Sequence, residues 1–80
     1  MKFNKLLNNC FFLELGSKIV LISYESIIGV IVEGVLYISE YYIGYSKTTS
    51  KHLNNFRKNL KFNNEVIIDN NQLYKLVNNI

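Results

Sequence analysis

Three two-residue breaks between apolar runs constrain this chain more than any other feature. Gly16-Ser17, Glu25-Ser26 and Glu33-Gly34 each interrupt stretches rich in Ile, Val, Leu and aromatic residues. Short breaks of this kind make hairpin turns, and β-branched or aromatic runs between them make strands. In residues 10–15, period-two alternation sets Phe11, Leu13 and Leu15 on one face. Residues 18–24 are apolar almost throughout, as a central strand would be, and residues 27–32 supply the third strand. The fourth, over 35–43, places Leu36, Ile38 and Glu40 on one face and Val35, Tyr37, Ser39 and Tyr41 on the other. The expectation is an antiparallel four-stranded β-meander.

After Tyr45 the period changes. Ser46, Thr48, Thr49 and Ser50 are all competent helix N-caps. Leu53, Phe56 and Leu60 then recur at helical spacing, with Thr49 one turn earlier on the same face, which predicts an amphipathic helix over 47–61. Asn63-Asn64 ends it, and Val66-Ile67-Ile68 reads as a short fifth strand. Asp69 with Gln72 three residues on resembles a capping box for a final helix that turns Leu73, Leu76, Val77 and Ile80 inward. The fold class expected is α+β, in one domain over 1–80. A chain this short buries only about 60–65% of the surface it exposes when unfolded, so nearly half its residues being hydrophobic (49%) is what makes a core affordable.

Composition mostly removes signals. Phe, Ile, Asn, Lys and Tyr fill 41 of 80 positions, and Ala, Pro and Trp are absent, a skew that AT-rich codons produce. Asparagine pairs such as Asn8-Asn9 and Asn54-Asn55 are therefore read as polar filler. Cys10, the single cysteine, excludes an intramolecular disulfide and, beside Phe11 and Phe12, reads as a small buried hydrophobe. The N-terminal apolar run breaks at Asn8-Asn9, too soon for a signal-peptide core. Residues 19–38 are long enough to span a bilayer, but Glu25 and Glu33 would each cost a few kcal/mol at membrane depth, and Gly29 and Gly34 read as turn residues. No membrane association is expected, and the cytoplasm is the expected location.

Charge is the one pattern that points toward function. Residues 1–46 carry three lysines against four glutamates, whereas residues 47–80 carry six cations against two acids. On a helix at about 100° per residue, Lys47, Lys51 and Lys58 fall within roughly 40° of one another, opposite the Leu53/Phe56/Leu60 stripe. Asn54 lies beside them, with Arg57 and Lys61 flanking. Two readings stay open for this face: a solvated exterior, or a ridge that follows a phosphate backbone or meets an acidic protein surface. Thr48, Thr49 and Ser50 stand with free N–H groups at the positive end of the helix dipole, close to Lys47, Lys51 and His52, an arrangement suited to an anion. His52 sits at the margin of the apolar stripe with no acid or second histidine near it in sequence, so neither a triad nor a metal site is indicated. Tyr37, Tyr41, Tyr42 and Tyr45 offer either a stacking platform for bases or ordinary amphipathic sheet residues. No cofactor is indicated, and an enzyme is not expected.

Two segments carry a resemblance. Ser23-Tyr24-Glu25-Ser26, followed some twenty residues on by Tyr45-Ser46-Lys47-Thr48-Thr49-Ser50-Lys51-His52-Leu53-Asn54, resembles short uncharacterised proteins of bacteriophages and bacterial mobile elements. These carry S-Y-x-[TS] and then [YW]-S-x-T-T-S-x-H-x-N. Where that pattern tends to have threonine, this chain has Ser26. The resemblance implies a phage or mobile-element origin and supplies no chemistry. The function expected is that of a small accessory protein that binds nucleic acid or another polyanion through its lysine-rich helix. Two other readings stay open: an inhibitor that binds an acidic surface of a host protein, as an anti-defence protein would, or a homo-oligomer paired through an exposed edge strand.

Overall fold

The computed structural model describes residues 2–78. They form α+β architecture: a six-stranded mixed sheet in the order β1-β2-β3-β4-β5-β6 with two helices. The strands are β1 (Lys2–Leu7), β2 (Cys10–Leu15), β3 (Lys18–Ser23), β4 (Ser26–Val32), β5 (Val35–Ser39) and β6 (Asn64–Ile68), with helix α1 (Lys47–Asn59) between β5 and β6 and helix α2 (Asn70–Asn78) last. The first five pair antiparallel in sequence order. β6 returns across α1 and pairs parallel to β5, Val35 opposite Asn64 through Ser39 opposite Ile68.

The sheet differs from the expected meander in ways that have local causes. The N-terminal segment, not foreseen as a strand, is edge strand β1 on β2, and Asn8-Asn9 is its hairpin turn, with Asn9 in the left-handed region at φ 59°. The 66–68 segment joins the same sheet as its sixth strand rather than standing as a fifth. The turn expected at Glu25-Ser26 lies one residue earlier, at Tyr24-Glu25, with Tyr24 at φ 58°. The strand expected over 35–43 stops at Ser39, because the ladders on its two sides end at Ile38 and Ser39, and Glu40–Tyr42 coil into a 3-10 turn. Glu40 and Tyr41 consequently have no sheet face. Gly34 does two jobs: its φ of 80° closes the β4–β5 turn, and its carbonyl accepts the Asn63 N–H at 2.6 Å where the chain enters β6.

The two helices cover opposite faces of the sheet, each by one stripe of apolar residues. Leu53 and Phe56 of α1 pack on Cys10, Leu21, Ile28, Ile31, Leu36 and Ile38. Leu73 and Val77 of α2 pack on Val20 and Val30, with Tyr37 and Ile68 beside them. Each fully buried side chain of this size contributes about 1.5–3 kcal/mol. The expected inward residues of α2 are borne out at Leu73 and Val77, with Leu76 half-buried; Ile80 lies outside the described residues. The expected capping box is present too: the Asp69 N–H donates to Gln72 Oε1 at 3.3 Å, and Asp69 Oδ1 accepts the Asn71 N–H at 2.6 Å. At its other end α2 is tied down by Lys18, whose ammonium donates to the Leu76 carbonyl, a cation placed where the helix dipole favours one.

Candidate nucleic-acid interface

Helix α1 is set on the sheet by its cap and by one buried histidine. Ser46, extended at φ −160°, caps it: Ser46 Oγ accepts the Thr49 N–H at 3.0 Å and its hydroxyl reaches Thr49 Oγ1 at 3.1 Å. The Ser46 carbonyl takes the Ser50 N–H at 3.0 Å. The Thr49 and Ser50 N–H groups of the first turn are thus already engaged by Ser46, so the helix N-terminus offers less to an anion than the sequence implied. Thr49 is buried, its hydroxyl engaged with Ser46, and is not part of an exposed surface.

His52 is also not on that surface. It is 3% exposed, with Nδ1 2.6 Å from Ser23 Oγ. The ring also hydrogen-bonds the Asn8 backbone, while burial first and the Lys51 cation second push its pKa below the ordinary 6.5. The neutral imidazole that results is a fully partnered strut between α1 and the β3–β4 end of the sheet. Among the described residues no group of three His, Cys, Asp or Glu stands together as metal ligands would.

The outer face of α1 holds the expected lysines. Lys47, Lys51 and Lys58 are exposed, and none makes an ion pair among the described residues. With Ser50 and Asn54 they line an open groove of about 760 Å³. Thr48 is exposed on the first turn. Two expected cations leave the ridge. Arg57 is committed to Glu65 of β6 through two 2.8 Å bonds, from Nε and NH2 to the two carboxylate oxygens, while NH1 holds Asn54 Oδ1 at 2.9 Å. Its pKa is raised, by the Glu65 hydrogen bond first. Lys61 lies beyond the helix, which ends at Asn59 and is capped by Leu60, two residues short of the expected boundary.

A second concavity, of about 410 Å³, opens at the N-terminal end of α1. Tyr41, Tyr42 and Tyr45 wall one side, their ring centroids 4.9–5.6 Å apart. Tyr24 of the β3–β4 turn and Ser26, the first residue of β4, line it as well, and the Tyr24 ring lies 5.7 Å from that of His52. Three of the four tyrosines considered as a platform therefore gather, whereas Tyr37 faces α2 on the other side of the sheet. Ser23, Tyr24 and Ser26 were not foreseen as site residues. In sequence they stand in the Ser23-Tyr24-Glu25-Ser26 segment of the resemblance; in the structure Tyr24 is held at positive φ, with a 2.7 Å bond from its N–H to the Asn9 carbonyl. Such conformations cost of order 1–3 kcal/mol, and Asn9 and Glu33 adopt the same region in the β1–β2 and β4–β5 turns.

The profile of a family of unknown function, DUF8033, matches residues 2–73, nearly the whole chain. The chain belongs to DUF8033. No curated protein and no solved structure matches it. Among the described residues of this DUF8033 chain, no helix is long and apolar enough to cross a membrane. The matched span takes in both segments that form the aromatic concavity and the lysine groove. In the DUF8033 fold they meet although they lie about twenty residues apart: Ser23 and Tyr24 touch His52, and Tyr45 and Thr49 share a cavity with Ser26.

Proposed function

We propose that this protein binds nucleic acid through Lys47, Lys51 and Lys58, as a small accessory protein of the phage or mobile-element kind its two motifs resemble. One observation carries the reading. The three lysines are exposed on a single helix face and line one open groove without ion pairs among the described residues, while the other α1 cation, Arg57, is neutralised by Glu65.

Three phosphate contacts set the size of the effect. Counterion release gives a log–log salt slope of about −2 to −3 for three contacts. Anisotropy titrations of a labelled oligonucleotide between 50 and 200 mM salt should show that slope, and Lys51→Glu with Lys58→Glu should abolish binding while the thermal melt stays cooperative. Binding that is flat in salt, or intact in the folded double variant, removes these lysines as the binding surface, and no oligonucleotide binding at all overturns the reading in favour of a protein partner.

A further inference from the structure

We infer that the tyrosine-walled concavity takes an unpaired nucleobase, so that the nucleic acid this protein recognises is single-stranded. The inference rests on the polyanion reading above and names its substrate class.

Three observations converge on it. Tyr24, Tyr41 and Tyr45 are 51%, 60% and 58% exposed, large aromatic faces left in water on a chain short of apolar burial. They are not scattered: the Tyr41 and Tyr45 ring centroids lie 5.6 Å apart at 37°, and Tyr24 lines the same cavity of about 410 Å³. That volume is within the range of small-ligand sites. The cavity and the lysine groove both border the first turn of α1: Tyr45 and Thr49 line the one, and Ser46 and Ser50 the other.

A ligand that satisfies both halves has a flat aromatic ring with a polar edge and an anion a short distance along a chain. A nucleotide in a single strand has both. In a duplex the base faces are stacked on their neighbours and cannot enter a cavity, whereas an unpaired base stacks on tyrosine in a sequence-tolerant way while cations track the backbone. The Ser26 hydroxyl and the tyrosine hydroxyls are the polar groups left for the base edge, since Ser23 is engaged with His52 and Thr49 with Ser46. An acidic protein surface would match the lysines but gives no reason for an aromatic cavity beside them.

The chain contains six tyrosines and no tryptophan, and four of the six line the cavity, so its intrinsic emission is weighted toward that site. A labelled twelve-nucleotide single strand, a duplex of the same length and an abasic strand of equal charge are titrated against wild type, Tyr41→Ala, Tyr45→Ala and the corresponding phenylalanine variants. The expected result is preference for the base-bearing single strand over both other probes, with quenched tyrosine emission. Each alanine variant should weaken single-strand binding by about 5- to 150-fold and leave duplex binding and the salt slope unchanged. The phenylalanine variants, which keep the ring, should retain binding; they also guard against an alanine variant that loses its fold, which the thermal melt reveals. If the abasic strand or the duplex binds as well as the base-bearing strand, the base site is overturned while the polyanion reading stands. If no probe binds, both fall together.

Discussion

Ser23 Oγ and His52 Nδ1 lie 2.6 Å apart, and this buried bond joins the end of β3 to the middle of α1. It sets the helix that carries the lysines and places Tyr24, the residue after Ser23, against the same imidazole ring. Both partners are 3% exposed, so the pair is stable only while the histidine is neutral or finds compensation for a buried charge.

That requirement gives a pH dependence. His52 is held below 6.5 by burial and by Lys51, against the opposing Asn8 bond. The unfolded chain therefore takes up this proton more readily than the folded one, and stability is fully present above about pH 6.5 and lost as pH falls below it, down to the depressed folded value. The loss approaches about 1.4 kcal/mol per pH unit where the states differ by a full proton. Urea midpoints measured from pH 7.5 to 5 should fall steeply in wild type and more gently in His52→Gln. Parallel lines for the two proteins would show that another group controls the transition.

Gly29 is fixed by space rather than by backbone angle. A Cβ there would lie 2.9 Å from the Tyr37 carbonyl oxygen and 3.3 Å from Leu21 Cδ1. The carbonyl belongs to the neighbouring strand and cannot move without opening the β4–β5 ladder. Gly29→Ala should cost about 1–3 kcal/mol, a drop in Tm of at least about 4 °C for a domain of this length. An unchanged melt would mean that the strands separate here at no cost.

How much of this was legible in the sequence follows from which interactions are local. The α1 stripe, the α2 capping box and the turns at Gly16 and Gly34 are set by neighbours within four residues, and the reading of residues alone finds them. β1 was missed because its register shifts between Lys5 and Leu7 and, at the sheet edge, it has little buried face to impose alternation. The shift between Leu21 and Ile22, opposite Ile28, likewise breaks the period in β4 and turns Ile28 inward. The site was half legible. Spacing alone aligned Lys47, Lys51 and Lys58, but nothing local tells that Arg57 will find Glu65 or that His52 will find a serine 29 positions away.

Cys10 should behave as a core residue. It is wholly buried, and burial raises its thiol pKa more than a backbone bond from Leu7 lowers it, which suppresses the reactive thiolate. A chromogenic disulfide reagent should modify it only at the rate of unfolding, with full labelling in urea. Rapid labelling of the native protein would place β2 in exchange with an open state.

Arg57 and Glu65 provide the internal control for the ridge. Their side chains are about a third exposed, 34% and 31%, so the pair contributes no more than about 1 kcal/mol to stability. Its larger effect is on charge available to a ligand, because both carboxylate oxygens of Glu65 are occupied by the guanidinium fork. Arg57→Ala should therefore weaken oligonucleotide binding much less than Lys51→Ala, whose loss removes one phosphate contact and flattens the salt slope by about 0.7–0.9. Glu65→Gln should act in the opposite direction: a released guanidinium, five donors strong and suited to bidentate phosphate contacts, adds a contact and steepens the slope by the same amount. The comparison needs only salt titrations of the three single variants. Equal losses in Arg57→Ala and Lys51→Ala, with no gain in Glu65→Gln, would mean that the pair is open in solution and that the binding surface extends across to β6.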